Sequence, residues 1–169
     1  MPTQTLLAIL KQQLAACQLS GTSITESGIT VSTNRLPEEI IFFFRTDSEA
    51  GRAGLGMAGD AKACDCLVFY AKKDEIGELL CLLELKAADI GAAKEQIKRV
   101  HEKVKQLIIT HQLQHIILTA CICMRHQAPA GDMHHIKELR QIFGKGNVHL
   151  KSGVKKYTEL GSFLRKQLS

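Results

Sequence analysis

Residues 64–97, CDCLVFYAKKDEIGELLCLLELKAADIGAAKEQI, decide the fold of this chain. Two apolar runs are separated by a charged turn and followed by an amphipathic segment. Runs of this apolar character are typical of strands that are buried on both faces of a sheet. Charges within them are unfavourable unless they are paired or bind something. The charged residues that need a reason are Asp65, Glu84 and Lys86.

The two runs predict an antiparallel hairpin whose turn is centred on Asp74 and Glu75. That register places Asp65 opposite Glu84, and it places Lys86 on the same face as Glu84. Directly opposed like charges destabilise a sheet, but a bound cation reverses the sign of the interaction. The pattern therefore indicates a site for a hard divalent cation beside a group for proton transfer. The alternative is an ordinary Glu84–Lys86 ion pair, which leaves Asp65 unpaired in an apolar run.

These residues resemble the PD-(D/E)xK nuclease superfamily, through Asp65, the triplet Glu84-Leu85-Lys86 and the helix that follows. The resemblance covers roughly residues 60–125. It implies a restriction-endonuclease-like fold, with a helix, a three-strand meander, a second helix and further strands. It also implies that Asp65 and Glu84 hold Mg²⁺ or Mn²⁺, that the Leu85 carbonyl supplies another ligand, and that Lys86 assists the attacking water.

The chain departs from the family pattern in two places and offers one further candidate residue. Cys64 stands where the family has a proline before the aspartate, and the first predicted helix offers no acid. Gln96 lies in the first turns of the helix after Lys86, so it is a candidate catalytic residue that binds a phosphate or orders water. The alternative for Gln96 is an ordinary position on the helix surface.

The remaining segments predict one α/β domain over residues 1–169, with a mixed central sheet that contains an antiparallel meander and is flanked by helices. The predicted helices cover residues 4–18, 90–110, 133–143 and 154–168, the second and third capped by Asp89 and Asp132. The predicted further strands cover residues 28–33, 40–45, 115–125 and 148–150. The segment 115–125 is expected to run parallel to a meander strand through a right-handed crossover.

Loops and turns are predicted between these elements. Residues 20–27 are small and polar, which is typical of a loop. Glu38 and Glu39 lie in a predicted turn and are the nearest candidates for an additional acidic ligand. Residues 51–59, GRAGLGMAG, match G-x-G-x-x-G but lack the strand before and the helix after that a dinucleotide site requires. A flexible connector is the favoured interpretation, with Arg52 as a candidate phosphate contact.

Positive charge is concentrated in the second half of the chain. Residues 1–97 carry 9 Lys and Arg against 13 Asp and Glu, whereas residues 98–169 carry 13 against 4. A basic half beside an acidic metal centre suits a polyanionic substrate, although a solvated basic surface is the alternative. The candidate nucleic-acid contacts are Arg52, Lys98, Arg99, Lys103, Lys151, Lys155 and Lys156.

Cysteines and histidines favour neither a disulfide nor a transition-metal site. Five of the six cysteines lie in apolar runs, where free cysteine acts as a small hydrophobe. Alternation places Cys64, Cys66 and Cys81 on the face opposite Asp65, and C-x-C lacks the usual zinc-ligand spacing. The pair His134-His135 has no acid at ligand spacing in this interpretation, so surface histidines are favoured.

The sequence thus predicts a magnesium-dependent nuclease that hydrolyses phosphodiester bonds, with DNA favoured over RNA. The alternative is a catalytically inactive nuclease-fold module that binds nucleic acid or a protein partner. A homodimer or a protein partner is expected by analogy with small nucleases. No signal-peptide pattern and no apolar run of about 20 residues is present. A cytoplasmic protein without a membrane partner is therefore expected, or one exported by a route that leaves no readable signal.

Overall fold

The helices and strands are taken from a computed structural model that describes residues 5–86 and 88–169. The helices are α1 Leu6–Gln13, α2 Glu49–Gly54, α3 Ile90–Thr110, α4 Met133–Phe143 and α5 Gly161–Gln167. The strands are β1 Ser23–Glu26, β2 Ile29–Ser32, β3 Glu39–Arg45, β4 Cys66–Lys72, β5 Glu78–Lys86, β6 Ile116–Met124, β7 Val148–Lys151 and β8 Tyr157–Glu159. The predicted α/β class is confirmed.

The β4–β5 hairpin has the predicted register. Cys66 pairs with Leu83 at one end and Ala71 pairs with Glu78 at the other. One further step places Asp65 directly across from Glu84, which confirms the predicted opposition of the two acids. A slip of one residue would have turned one of them to the other face of the sheet.

The hairpin is the middle of a five-stranded sheet with the order β3-β4-β5-β6-β7. Strands β3, β4 and β5 form an antiparallel meander, and β6 and β7 then add in parallel. The connection from β5 to β6 is α3, whose first turn is capped by Asp89 accepting from the Ala92 amide at 2.9 Å. The predicted meander, the parallel crossover strand and the edge strand near residue 148 are therefore confirmed.

The sheet is buried on both faces. On one face, Leu67 and Phe69 pack with α1, α3 and α4. On the other face, Val68 and Tyr70 pack with β1, β2 and α5. Successive residues of β4 thus enter two different cores, which explains why its sequence is continuously apolar and does not alternate.

A second sheet, with the order β1-β2-β8, was not predicted. The predicted loop 20–27 contains β1, and the predicted helix 154–168 is β8 followed by the shorter α5. Helices therefore cover one face of the central sheet, and this small sheet shares the other face with α5. Only Ile24 of β1 is buried, so the local pattern is too polar to indicate a strand. Its conformation is decided by pairing with β2, which follows after a two-residue turn and is itself paired with the distant β8.

The glycine-rich segment is not a free connector, because residues 49–54 form α2 with Ser48 as the N-cap. A Cβ at Gly51 would collide with the backbone of Arg45 and Thr46, and one at Gly54 would collide with the backbone of Gln13. These glycines are therefore needed for close packing of the helix against its neighbours.

All six cysteines are unpaired and buried, but one lies on an unexpected face. Cys66 and Cys81 share the core beside α5, whereas Cys64 lies in the helix-side core. The expectation for Cys64 was wrong because β4 begins only at Cys66, so strand alternation does not extend back to residue 64. None of the described helices has the length and apolar character needed to cross a membrane.

Candidate active site

Two buried carboxylates meet at one end of the central sheet. Asp65 stands directly before β4 with 7% of its surface exposed, and Glu84 in β5 is fully buried. The Asp65 amide donates to Glu84 Oε2 at 2.9 Å, and the Leu85 amide donates to Asp65 Oδ2 at 2.8 Å. Each carboxylate is thus held by the backbone of the opposite strand, which fixes both side chains without neutralising either.

The pKa values of both carboxyl groups are raised. Burial is the largest cause for Asp65, and the facing Glu84 carboxylate adds to it, so that the pKa of Asp65 is raised to about 8. Burial raises the pKa of Glu84 to about 7, although the Lys86 ammonium acts in the opposite direction. At neutral pH the pair resists carrying two full negative charges without a cation nearby.

Lys86 supplies one such cation. Its Nζ lies 2.9 Å from Glu84 Oε1, and a quarter of the lysine side chain is exposed. The approach is an ion pair without hydrogen-bond geometry, because Glu84 Oε1 is buried and has no hydrogen-bond partner among the described residues. One oxygen of Glu84 therefore retains unused acceptor capacity beside a partly accessible ammonium group.

A third carboxylate, Asp47, lies at the end of the central sheet that carries Asp65 and Glu84. It was not among the predicted site residues. It follows β3 by two residues, and the Thr46 amide donates to the Asp65 carbonyl at 3.1 Å, which extends the β3–β4 pairing toward it. Burial raises the pKa of Asp47, and its Oδ1 is buried without a hydrogen-bond partner. The available signal was an acid just beyond the end of a meander strand that neighbours Asp65.

Asp47 does not complete a tight three-residue cluster. Within residues 5–86 and 88–169, a single group of three potential metal ligands has all its ligand atoms within 4.8 Å of one another. That group is His134, His135 and Glu138, and it does not include Asp47, Asp65 or Glu84. Asp47 therefore stands near the pair formed by Asp65 and Glu84 without joining it at that separation.

The Leu85 carbonyl, predicted as a ligand, accepts a hydrogen bond from Ser27 Oγ at 3.2 Å. Ser27 and Gly28 form the two-residue turn between β1 and β2, with φ values of 52° and 75°. Such a turn needs positive φ at both positions. The adjoining Glu26 carboxylate accepts from Arg45 at 2.7 Å, so this turn is attached to the same end of the sheet.

Gln96 and Lys86 share a surface pocket of about 220 Å³. Gln96 Nε2 donates to the Ala63 carbonyl at 3.1 Å, whereas Gln96 Oε1 is buried without a hydrogen-bond partner. Arg99 and Lys62 line the same pocket, and Lys62 was not predicted. The structure therefore brings Lys86, Gln96 and Arg99 together beside the two carboxylates.

The other predicted contacts on the helix side are more dispersed. Arg52 Nη1 donates to the Asp47 carbonyl, so it holds the segment that carries Asp47. Lys98 lies 4.0 Å from Glu95 in an exposed ion pair on α3. Lys103 is exposed about 20 Å along α3 from Ile90, at a rise of about 1.5 Å per residue, and lies outside the pocket.

The nucleic-acid contacts predicted at the end of β7 and just after it lie at the end of the central sheet that carries Asp65 and Glu84. Lys151, Lys155 and Lys156 are all exposed. The Val154 amide donates to the carbonyl of Met124, which ends β6, at 2.9 Å. The Lys156 carbonyl accepts from the β2 residue Thr30 at 2.8 Å. This lysine-rich segment therefore follows the face that carries the small sheet.

Glu39 is not an additional ligand of this site. It begins β3, pairs with Lys72 of β4, and so lies at the end of the sheet opposite to Asp65. It is 2% exposed and accepts from Arg165 Nε at 2.6 Å. Glu38 is exposed beside it. The turn therefore ends at Glu38, one residue earlier than predicted, because Glu39 is part of β3 and its carboxylate is held by Arg165.

The interpretation of the histidines was wrong on one point, since an acid does stand at ligand spacing. Glu138 lies one helical turn after His134 and His135 on α4. That carboxylate already accepts from Lys94 Nζ at 2.7 Å. The absence of a bound transition metal stays a prediction.

Comparisons with known proteins leave the family open. No protein-family model matches the chain, and no curated protein or solved structure matches it.

Proposed function

We propose that this protein is a metal-dependent nuclease that hydrolyses phosphodiester bonds, with DNA as the favoured substrate. The observation that carries the proposal is the Asp65–Glu84 pair, which is buried across one hairpin with Lys86 at 2.9 Å from Glu84. Raised pKa values on two facing carboxyl groups are typical of functional sites, because a fold gains no stability from them.

The order of elements supports the resemblance to the PD-(D/E)xK superfamily. A helix α1, the meander β3-β4-β5, the crossover helix α3 and the parallel strand β6 follow one another as that resemblance implies, with the β1-β2 hairpin inserted before the meander. Asp65 adjoins the middle strand of the meander, and Glu84 and Lys86 lie near the end of its last strand. The restriction-endonuclease-like fold is part of the proposal.

The residues fit a hard divalent cation. Glu84 Oε1 and Asp47 Oδ1 are buried oxygens without hydrogen-bond partners, and Mg²⁺ prefers oxygen ligands. Asp65, Glu84 and the Leu85 carbonyl would hold the ion, with Asp47 acting on it from further away. When bound, the ion supplies Lewis-acid polarisation of the phosphoryl group and lowers the pKa of water.

The protein's own residues then orient the reactants. Lys86 Nζ, 2.9 Å from Glu84 Oε1, would offset negative charge on the phosphate and orient the attacking water. Gln96 lines the same pocket, and its buried Oε1 has no hydrogen-bond partner among the described residues, so this amide would orient a water molecule once Oε1 turns toward the pocket. Arg99 and Lys62 on the pocket wall would hold an adjoining phosphate.

The decisive experiment compares Lys86→Ala with Lys73→Ala, a matched control in the exposed turn at the far end of the hairpin. Plasmid, single-stranded DNA and RNA are incubated with Mg²⁺, with Mn²⁺ and with a chelator. We expect metal-dependent cleavage that Lys86→Ala reduces about a hundredfold or more, while folding and metal binding are retained. Equal cleavage by Lys86→Ala and Lys73→Ala would show that the wrong residue has been chosen.

A second candidate function is a catalytically inactive module on the same fold that binds nucleic acid or a protein. The observation that favours it is the Glu84–Lys86 ion pair, which already offsets one of the two charges. Titration with Mn²⁺ separates the two candidates. An active site should bind the ion through Asp65 and Glu84, and an inactive module should not respond to it.

A further inference from the structure

A groove separate from the acidic site lies between the edge strand β7 and helix α5. Its volume is about 590 Å³, which is within the range of pockets that hold small ligands. Three exposed lysines line it, Lys145, Lys151 and Lys166. Within residues 5–86 and 88–169, none of these three ammonium groups lies within 4.0 Å of a carboxylate. The groove therefore concentrates uncompensated positive charge.

The acid in the groove wall is occupied elsewhere. Glu159 Oε1 accepts from the Gly161 amide at 2.7 Å and from the Asn34 amide at 3.3 Å. Glu159 Oε2 accepts from the Ser162 amide at 3.2 Å. This carboxylate is held at the start of α5 and the end of the small sheet, away from direct contact with the lysines, so the groove carries three lysine charges against one glutamate charge.

An aromatic pair lines the groove beside the lysines. The rings of His149 and Phe163 stack with centroids 4.9 Å apart and planes inclined by 19°. Burial lowers the pKa of His149, and Lys151 and Lys166 lower it further. The ring is thus favoured in its neutral form, which is consistent with a positive local potential. Neutral stacked rings beside ammonium groups can bind a nucleobase and its phosphate.

The groove opens at the end of the sheet that carries the acidic site. Lys151 of β7 pairs with Cys123 of β6, and the next position along β6, Met124, pairs with Lys86 of β5. Adjacent strands are about 4.8 Å apart, so β7 lies about 10 Å from β5 in the plane of the sheet. Lys151 shares the face of Cys123, beside the small sheet, whereas Lys86 shares the helix-covered face of Met124. A nucleic-acid strand would therefore contact both places by passing around this end of the sheet.

We propose that this groove binds one or two nucleotides of a single strand, with phosphates on Lys151 and Lys166 and a base against Phe163 and His149. The proposal rests on the proposed function, because it assigns the groove to the strand that leaves the acidic site. The excess of three lysines over one glutamate, whose carboxylate is held by backbone amides, favours a polyanion over a peptide as the ligand.

The test measures binding of a fluorescein-labelled single-stranded DNA by the full chain in a chelator, so that cleavage does not interfere. Lys151→Gln/Lys166→Gln is compared with Lys73→Gln/Lys137→Gln, which removes the same charge from exposed positions outside the groove. We expect the slope of log K against log salt to fall by about 1.4 for the groove variant, at about 0.7 per phosphate. Equal slopes for the two variants would overturn the proposal.

A second arm tests the base contact. Phe163→Leu keeps an apolar side chain but loses the ring, and it should weaken binding of the normal oligonucleotide about tenfold. Binding of an abasic oligonucleotide of equal length should not change. Equal weakening for both ligands would refute the stacking role.

Cleavage is assayed separately in Mg²⁺, so the two proposals can fail independently. Cleavage without any effect of the groove variants would refute the groove and leave the nuclease standing. Groove-dependent binding without cleavage would support the groove and refute the nuclease.

Discussion

The two ends of the central sheet each bury carboxylates, but with opposite electrostatic outcomes. Glu39 accepts from Arg165 Nε at 2.6 Å, from Tyr70 Oη at 2.9 Å and from the Leu36 amide at 2.8 Å. Burial acts to raise the pKa of Glu39, but these donors hold it below its ordinary value. At the other end, burial raises the pKa values of Asp65 and Glu84, and the Glu84 carboxylate raises the pKa of Asp65 further.

The difference separates a carboxylate whose charge is satisfied inside the protein from one whose charge is only partly offset. Both centres are buried in the same sheet, so burial alone does not separate them. Glu39 has an arginine and two further donors. Glu84 Oε1 faces only the partly exposed Lys86 ammonium among the described residues, outside hydrogen-bond geometry.

The largest expected effect comes from breaking the structural centre. Arg165→Ala leaves the Glu39 carboxylate buried without its cation, which should lower the free energy of unfolding by about 3 kcal/mol. Urea denaturation measures this, with Lys166→Ala, the exposed neighbour on the same helix, as the control. A loss below about 1 kcal/mol would mean that water replaces the arginine and that Glu39 is not a structural anchor.

The second prediction concerns pH in the absence of metal. Asp65 and Glu84 have folded-state pKa values of about 8 and about 7, above the values in an unfolded chain. The folded protein therefore binds more protons, so its stability should fall as pH rises from about 4 to about 8. Glu39 contributes the opposite slope, but only below its ordinary pKa near 4.

Thermal melts in a chelator and with Mg²⁺ across this range are the measurement. Mg²⁺ should restore stability most strongly at the alkaline end, where both carboxylates are ionised. Metal-free stability that rises between pH 5 and pH 8 would contradict the assignment of a repulsive pair.

The third prediction concerns the smallest changes in stability, which are expected from two matched isosteric substitutions. Glu39→Gln should destabilise the protein by about 1 kcal/mol, because it weakens charge-assisted hydrogen bonds to Arg165. Glu84→Gln should stabilise the metal-free protein at pH 8 by about 1 kcal/mol, because it removes one of two opposed charges. It should also abolish stabilisation by Mg²⁺. The same sign for both variants would remove the distinction between the two centres.

The sequence was sufficient where local pattern and charge agreed. The turn at Asp74 and Glu75 set the register of the β4–β5 hairpin, and that register placed Asp65 opposite Glu84. The cap at Asp89 and a regular apolar stripe predicted α3. In each case the deciding residues are close in the chain, so the pattern can be read without knowing the tertiary structure.

The sequence was insufficient where distant segments decide the outcome. Glu39 was interpreted as a turn residue because its partner Arg165 is 126 positions away. Strand β1 is polar apart from Ile24, and its partner β2 is held in turn by the distant β8. Asp47 was missed because its position just beyond a strand becomes informative only once the β3–β4 pairing brings it toward Asp65. Tertiary contacts overrode local preference in all three places.

The small sheet has a consequence for biosynthesis. Its middle strand β2 lies between β1 and β8. The hydrogen bond between the Ser32 and Tyr157 hydroxyl groups joins residues that are 125 positions apart in the chain. Ribosomes release the chain from its N-terminus, so β2 must wait for β8 to be translated. The Ser27 turn touches the acidic site, and β8 leads into the helix that carries Arg165. We therefore expect nascent chains that end before β8 to lack a finished acidic site, so that Asp65 and Glu84 reach their final arrangement only after β8 has been translated.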